Sequence, residues 1–412
     1  MENRARIGGV GKRGYFFGQN IMRIGIDART ILNPEKGDAI GAGHYTYQLI
    51  RHLLDLDQKN TYVLFFDFRV REKDVKKFTR PNTRIKFYPF SDYKKYLPGA
   101  YSELLGTATL QREGLDLVHS TSSSSRIPVG YRGKTVVTFH DLGVYAVPQC
   151  YPKLRRARDR AVSALMAKKA DHIIAVSSSM KHDLEKYCAV PQDKVSVIYS
   201  GLDHRFFQEP TKSAETVLKK FDIVKNYILF LGTLEPSKNI VRLFHAFALF
   251  KEEYKKKTGK KKCDFQLVLA GKRGWLSQEY HQIAKDLGIH KDIVFTGYVI
   301  GDELVPLFRG ASFFVMPSLY EGFGMTALEA FATQTPAILS NVSSLPEIAG
   351  DAARFVNPMD TKEIASAMAE FASDEAVRDA YRQKGLVQAR KFDWRKTAEE
   401  TLAVYRRVGG IA

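Results

Sequence analysis

Short apolar runs recur along the whole 412-residue chain, and several are apolar on successive residues rather than on alternate ones. A strand of that kind has to be covered on both faces, which is the condition of a strand inside a parallel sheet flanked by helices. The runs in the first half are 21–28, 61–66, 84–90, 117–120, 134–141, 172–177 and 195–201; those in the second half are 227–232, 265–271, 292–297, 313–318 and 336–341. Helical patterns fall between them, notably over 43–55, 151–170, 178–188, 237–257, 325–333 and 375–391. Strict alternation of the two elements implies α/β units joined by right-handed crossovers. A chain of this length exceeds one ordinary core and suits two units of roughly 200 residues. The expected fold is therefore two Rossmann-like domains whose parallel sheets face each other across a cleft. Ligands of such sheets sit beyond the carboxyl ends of the strands, so chemistry is expected just after each strand.

The polar stretch RFFQEPTKSAETVLKKFD around 205–222 separates the two strand-rich halves. The expected units are an extension over 1–21, a first domain over 22–205, a second over 206–392, and a terminal helix over 393–412 that packs back on the first domain. Met22 opens the first regular strand and is an alternative start. GGVGKRG in the extension lacks both the preceding strand and the Ser or Thr after Lys of a phosphate loop. No apolar run approaches the ~20 residues that cross a bilayer, and the first twenty residues have no secretory pattern. Cys150, Cys188 and Cys263 are odd in number and far apart, which suits free thiols in a reducing compartment. These features point to the cytoplasm, where the sequon at Asn341 would go unused. Lys and Arg number 63 against 45 Asp and Glu, a formal charge of +18. Such a balance favours anionic partners. No helix-turn-helix, zinc-finger or aromatic RNA-binding pattern is present, so nucleic acid is not among the expected ones.

The strongest local signal is SLYEGFGMTALEA at 318–330. A strand ends, Gly322 and Gly324 permit a tight turn, and a helix begins near Met325. The amides of Gly322, Phe323, Gly324 and Met325 and the positive helix end suit a phosphate. Glu321 and Glu329 lie eight residues apart across that turn. A carboxylate accepts two hydrogen bonds from adjacent hydroxyls, so the pair can hold two sugar rings. Alone, the spacing is better read as a solvated cap and an exposed helix face; its neighbours decide against that.

The segment resembles the E-x7-E signature of family-4 glycosyltransferases, retaining enzymes of the GT-B fold. The resemblance continues through TPAILSNVSSLPEIAGDAARFVNP (335–358) and ILFLGTLEPSKNI (228–240), and more loosely through DARTILNPEKGDAIGAGHYTYQLI, TFHDLGVYAVPQCYP and SGLDHRFF. It implies a nucleoside diphosphate sugar as donor, with Gly232, Thr233 and Lys238 at the diphosphate. It also implies Gly43 in a glycine loop reaching across the cleft, with Gly41 beside it, and His140 beside the transferred sugar. Many members carry Arg at the positions of Thr233 and Ser237, so phosphate binding here rests more on Lys238, on backbone amides, and on Arg242 or Lys272. The turn from Gly297 through Tyr298 to Val299 is expected at the base. Glu321 and His140 are the expected residues at the reacting carbon, Glu321 in a positioning role, and Glu329 is expected on the ribose. No metal or other cofactor is expected.

The GTLEPSKN form is similar to that of mannosyltransferases using GDP-mannose. The acceptor class implied is a glycan or a lipid-linked glycan. The basic helix 151–170 suits peripheral contact with an anionic membrane. Two other readings stay open at this point: a sugar-nucleotide epimerase on the same scaffold, and a non-enzymatic protein with a vestigial donor site.

Overall fold

The computed structural model describes residues 21–33, 41–88, 99–224, 226–272, 274, 279–299 and 301–410. The expected extension therefore lies outside the described residues, apart from Ile21. Thirteen strands form two sheets. The first contains β1 (Arg23–Asp27), β2 (Thr61–Asp67), β3 (Thr83–Tyr88), β4 (Leu117–Ser120), β5 (Lys134–Phe139), β6 (His172–Ala175) and β7 (Val195–Val197), in the spatial order 3-2-1-4-5-6-7. The second contains β8 (Asn226–Leu231), β9 (Phe265–Ala270), β10 (Ile293–Gly297), β11 (Phe313–Met316), β12 (Ala337–Ser340) and β13 (Ala353–Val356), in the order 10-9-8-11-12-13. Every pairing is parallel.

All twelve anticipated strands are present. The thirteenth, β13, escaped sequence reading because it is four residues long, carries Arg354 and pairs only with β12. Helix Gly99–Gln111 and helix Thr361–Ser373 were likewise not anticipated. The expected glycine loop differs too: Gly41 and Gly43 lie in the first turn of helix Gly41–Leu56, with Gly41 at φ +63°. The preceding residues 34–40 lie outside the described residues. Among the described residues no helix is long and apolar enough to cross a membrane.

Three glycines level the carboxyl edge of the second sheet. Gly232 N–H donates to the Ala270 carbonyl at 2.9 Å and Gly271 N–H to the Gly297 carbonyl at 2.8 Å. A Cβ on Gly271 would overlap the Gly232 carbonyl oxygen, so the strand ends approach closely only without a side chain there.

The chain passes between the sheets twice, through 198–207 and back through 390–394. The two passages touch: Leu202 N–H donates to the Phe392 carbonyl at 3.2 Å, and Gly201 lies against the backbone of Trp394. Asp393 caps the last helix, Trp394–Gly409, by accepting from Arg395 N–H, and Gly410 closes it in the left-handed region at φ +72°. Its buried face, built from Trp394, Thr397, Ala398, Thr401, Leu402 and Tyr405, packs against helix Gly41–Leu56 and against β4 to β6. The return of this helix to the first sheet gives that sheet part of its cover from the far end of the sequence.

Gly201→Ala would push a methyl group into the Trp394 backbone. The expected loss is about 1–3 kcal/mol, read as a lower urea midpoint at unchanged slope.

Candidate active site

The carboxyl ends of the two sheets meet around the loop that follows β11. Gly322 in that loop lies so close to the His140 carbonyl, just past β5, that a Cβ would overlap its oxygen. Ser177 Oγ, past β6, donates to the Gly322 carbonyl at 2.8 Å. Tyr320 OH donates to Asp183 Oδ2 at 2.6 Å from the next helix of the first half. Glu347 of the second half caps that same helix, accepting from Ser178 N–H at 2.6 Å, Ser179 N–H at 3.1 Å and Tyr199 OH at 2.7 Å.

Serines on both sides set the loop itself. Ser340 Oγ donates to the Ser318 carbonyl at 2.7 Å, and Ser344 Oγ donates to the carbonyls of Glu321 at 2.9 Å and Phe323 at 2.8 Å. Glu321 N–H donates to Ser343 Oγ at 2.9 Å. Gly324, at φ +101°, precedes helix Met325–Ala332, a conformation that excludes most other residues. The first amides of that helix, from Met325 onward, open it toward an anion.

Glu321 and Lys238 form the centre. Lys238 Nζ and Ser318 Oγ both donate to Glu321 Oε1, each at 2.7 Å. Lys238 ends a short turn after β8 whose next residue, Asn239, sits at φ +62°. The Asn239 amide ties that turn to the second sheet by donating to the Pro317 carbonyl at 3.0 Å and the Pro358 carbonyl at 2.7 Å. Arg242 is engaged with Asn239 Oδ1 at 2.7 Å. Burial opposes the charge on Lys238, but Glu321, then Glu235 and Asp141, outweigh it and raise its pKa. Burial pushes the Asp141 carboxyl upward, against the pull of the Gly143 amide and of Lys238.

His140 Nε2 donates to the Thr121 carbonyl at 2.7 Å, which leaves Nδ1 as the unprotonated nitrogen. Its ring meets the edge of Tyr45 at 4.6 Å, and burial pulls its pKa down to about 4. The imidazole is thus neutral at pH 7. Behind it, His119 bonds Tyr405 OH through Nδ1 at 2.6 Å and Thr138 Oγ1 through Nε2 at 2.8 Å. The last helix therefore supports the same wall.

Glu329 stands apart from this cluster. Burial raises its carboxyl to about 8; Arg205 acts against that and Asp203 with it. No hydrogen bond to its side chain occurs among the described residues. Thr233 is half-buried, Phe323 and Val299 are buried, and Tyr298 is partly exposed with the Lys272 ammonium 4.5 Å from its ring centre. Gly297, before Tyr298, is in the left-handed region at φ +70°. Glu321, Lys238, Gly322 and His140 come together directly. Gly43 lies two residues before Tyr45 on the opposite wall.

Sequence reasoning missed Ser177, Ser318, Ser343 and Glu347 as parts of this arrangement. A polar SNVSS run straight after β12 was the available signal for the Ser343 pair.

Known proteins match both halves. Residues 40–206 match the model described as Glycosyltransferase Family 4, and residues 215–387 the one described as Glycosyl transferases group 1. The O-antigen chain mannosyltransferase B of Escherichia coli is 30% identical over 275 residues, 66% of this chain and 70% of that protein. The chain belongs to glycosyltransferase family 4. It is a glycosyltransferase, and its two parallel sheets are those of the GT-B fold. The serotype-specific mannosyltransferase WbdA of Escherichia coli is 29% identical over 296 residues, 70% of this chain but only 36% of that longer protein. Among solved structures, sucrose-phosphate synthase of Thermosynechococcus elongatus superimposes with a TM-score of 0.72 at 19% identity, covering 94% of this chain and 99% of that one. Anabaena HepE, solved with UDP and glucose, gives 0.71 at 15% identity, covering 94% of this chain and 100% of its own.

The raised Glu329 carboxyl carries a stability signature. The unfolded chain sheds this proton near the ordinary value of 4.5, the folded one only near 8. Between those values the folded state holds more protons, so this residue's contribution falls as pH rises through the window. Glu329→Gln is expected to flatten that part of the profile, measured by urea unfolding at pH 5, 6.5 and 8.

Proposed function

We propose that this glycosyltransferase moves a hexose, best assigned as mannose from GDP-mannose, to a hydroxyl of a glycan or lipid-linked acceptor with retention at the anomeric carbon. The observation that carries the reading is the Lys238–Glu321 ion pair beside the Gly322–Gly324 turn and the helix behind it. A diphosphate entering there meets one ammonium and a set of amides, and Lys238 turns from Glu321 toward it. Negative charge growing on the leaving phosphate is then stabilised by fixed donors rather than by reorganising water. Glu321, held by Ser318, positions the sugar hydroxyls. Neutral His140 meets the transferred ring from the first half, and no step calls for its imidazolium. Glu329 accepts the ribose hydroxyls, while Tyr298 and Val299 flank the base. Thr233 and Ser237 leave the diphosphate with fewer cations than many relatives carry, and no metal is assigned to it.

The mannosyltransferase names of the relatives support mannose, and their O-antigen titles support polysaccharide synthesis. An epimerase or a vestigial scaffold finds no such support, and the intact Lys238–Glu321 pair speaks against the second. Helix Lys153–Lys169 presents Lys153, Arg155 and Arg158 with Leu154, which is 84% exposed. That surface suits peripheral binding at the cytoplasmic face of an anionic membrane.

Thermal shifts with GDP, UDP, dTDP and ADP test the donor. A nucleotide at 100 times its dissociation constant adds about 2.7 kcal/mol. Selective stabilisation by GDP, lost in Lys238→Ala, is the expected result; selective stabilisation by another diphosphate would replace the base, and none would remove the donor assignment.

A further inference from the structure

A cavity of about 540 Å³ lies where the two crossings touch. It is lined by helix Gly41–Leu56, by the outgoing segment 202–207 and by the returning segment 390–394. Tyr45, which touches His140, and Arg51 on the cavity are six residues apart, about 9 Å along a helix axis. The cavity thus opens behind the wall that carries Tyr45 and Glu329: Trp394 on its lining lies 5.6 Å from the Tyr45 ring, and Asp203 on its lining acts on the Glu329 carboxyl.

Its cations are uncommitted. Arg51 and Arg390 are exposed on its rim and come from different segments, and neither has a carboxylate partner among the described residues. The guanidinium of Arg51 rests only near the Tyr47 ring, at 5.7 Å. His204 also lines it, with Nδ1 3.4 Å from Gln208 Nε2. The two carboxylates on the lining are already engaged. Asp203 accepts from Gln48 Nε2 at 3.0 Å and from Arg205 N–H at 3.1 Å, and Asp393 accepts from Arg395 N–H at 2.8 Å. Apolar wall is supplied by the half-buried Phe207, with the buried Trp394 behind it. The Trp394 indole N–H is buried and has no acceptor, an uncommon condition for a buried donor.

Two guanidiniums from separate segments suit the several oxygens of a phosphate better than a single carboxylate. The volume falls in the range of small-molecule sites. We propose that this cavity binds a small soluble phosphomonoester, its phosphate on Arg51 and Arg390 and its apolar part against Phe207. Such a ligand bridges the first helix and both crossings, so it restrains the movement of one half against the other. The site does not depend on the donor proposed above.

Calorimetric titration of the full chain with phenyl phosphate and with inorganic phosphate, at constant ionic strength, tests this. The protein variants are wild type, Lys238→Ala, and Arg51→Gln with Arg390→Gln. Both arginines are exposed, so the double variant keeps its unfolding midpoint. Phenyl phosphate is expected to bind wild type and Lys238→Ala alike, to bind the double variant about tenfold more weakly or worse, and to be displaced by inorganic phosphate at higher concentration. Binding abolished by Lys238→Ala but unchanged in the double variant would place the anion in the donor cleft and overturn the proposal. So would the absence of binding, or capture of the protein by phosphatidic-acid vesicles without binding of soluble phenyl phosphate.

Discussion

Everything in the active site depends on how closely the loop after β11 approaches the first sheet. Gly322 has no side chain, and the His140 carbonyl occupies the space one would need. Ser177 then reaches the Gly322 carbonyl, and Glu347 reaches the helix that follows Ser177. Each of these contacts joins residues far apart in sequence, and each uses a group that would otherwise be an unpaired helix amide or loop carbonyl. The cleft is thus held by backbone satisfaction as well as by apolar contacts between the halves, such as Tyr320 among Phe139 and Met180 and Tyr199 against Phe323.

Charge at the centre is concentrated in one ion pair. Lys238 faces Glu321 directly and feels Glu235 and Asp141 as well. Burial alone would weaken the ammonium; the carboxylates keep it charged. The surrounding negative charge also means that any anion would have to displace Glu321 from Lys238 before it could use that cation fully. Neutral His140 and the raised Glu329 carboxyl limit the ionic character of the remaining walls.

Most of the fold was legible because strands covered on both faces must be apolar on both faces. The same reasoning failed at β13, where Arg354 interrupts a four-residue strand at a sheet edge. It also turned Gly41 and Gly43 into a loop, although Gly41 begins a helix. Glu321 was marked by a strand, a glycine turn and a helix lying close in sequence, whereas Lys238 was singled out only through the family resemblance. The pinning of Tyr320 by Asp183, or of Ser178 by Glu347, was not, because nothing local marks residues that meet across 137 or 169 positions. The cavity at the crossings was equally silent, since three unconnected segments build it.

The final helix, Trp394–Gly409, belongs in space to the half of the molecule that is made first. During synthesis the first sheet emerges and must wait, with the flank of helix Gly41–Leu56 uncovered, while the whole second half follows. His119 likewise lacks its Tyr405 partner until then. The second half can reach its full packing before the first does, although it is translated later. An incomplete chain therefore exposes apolar surface beside His140 until helix Trp394–Gly409 arrives.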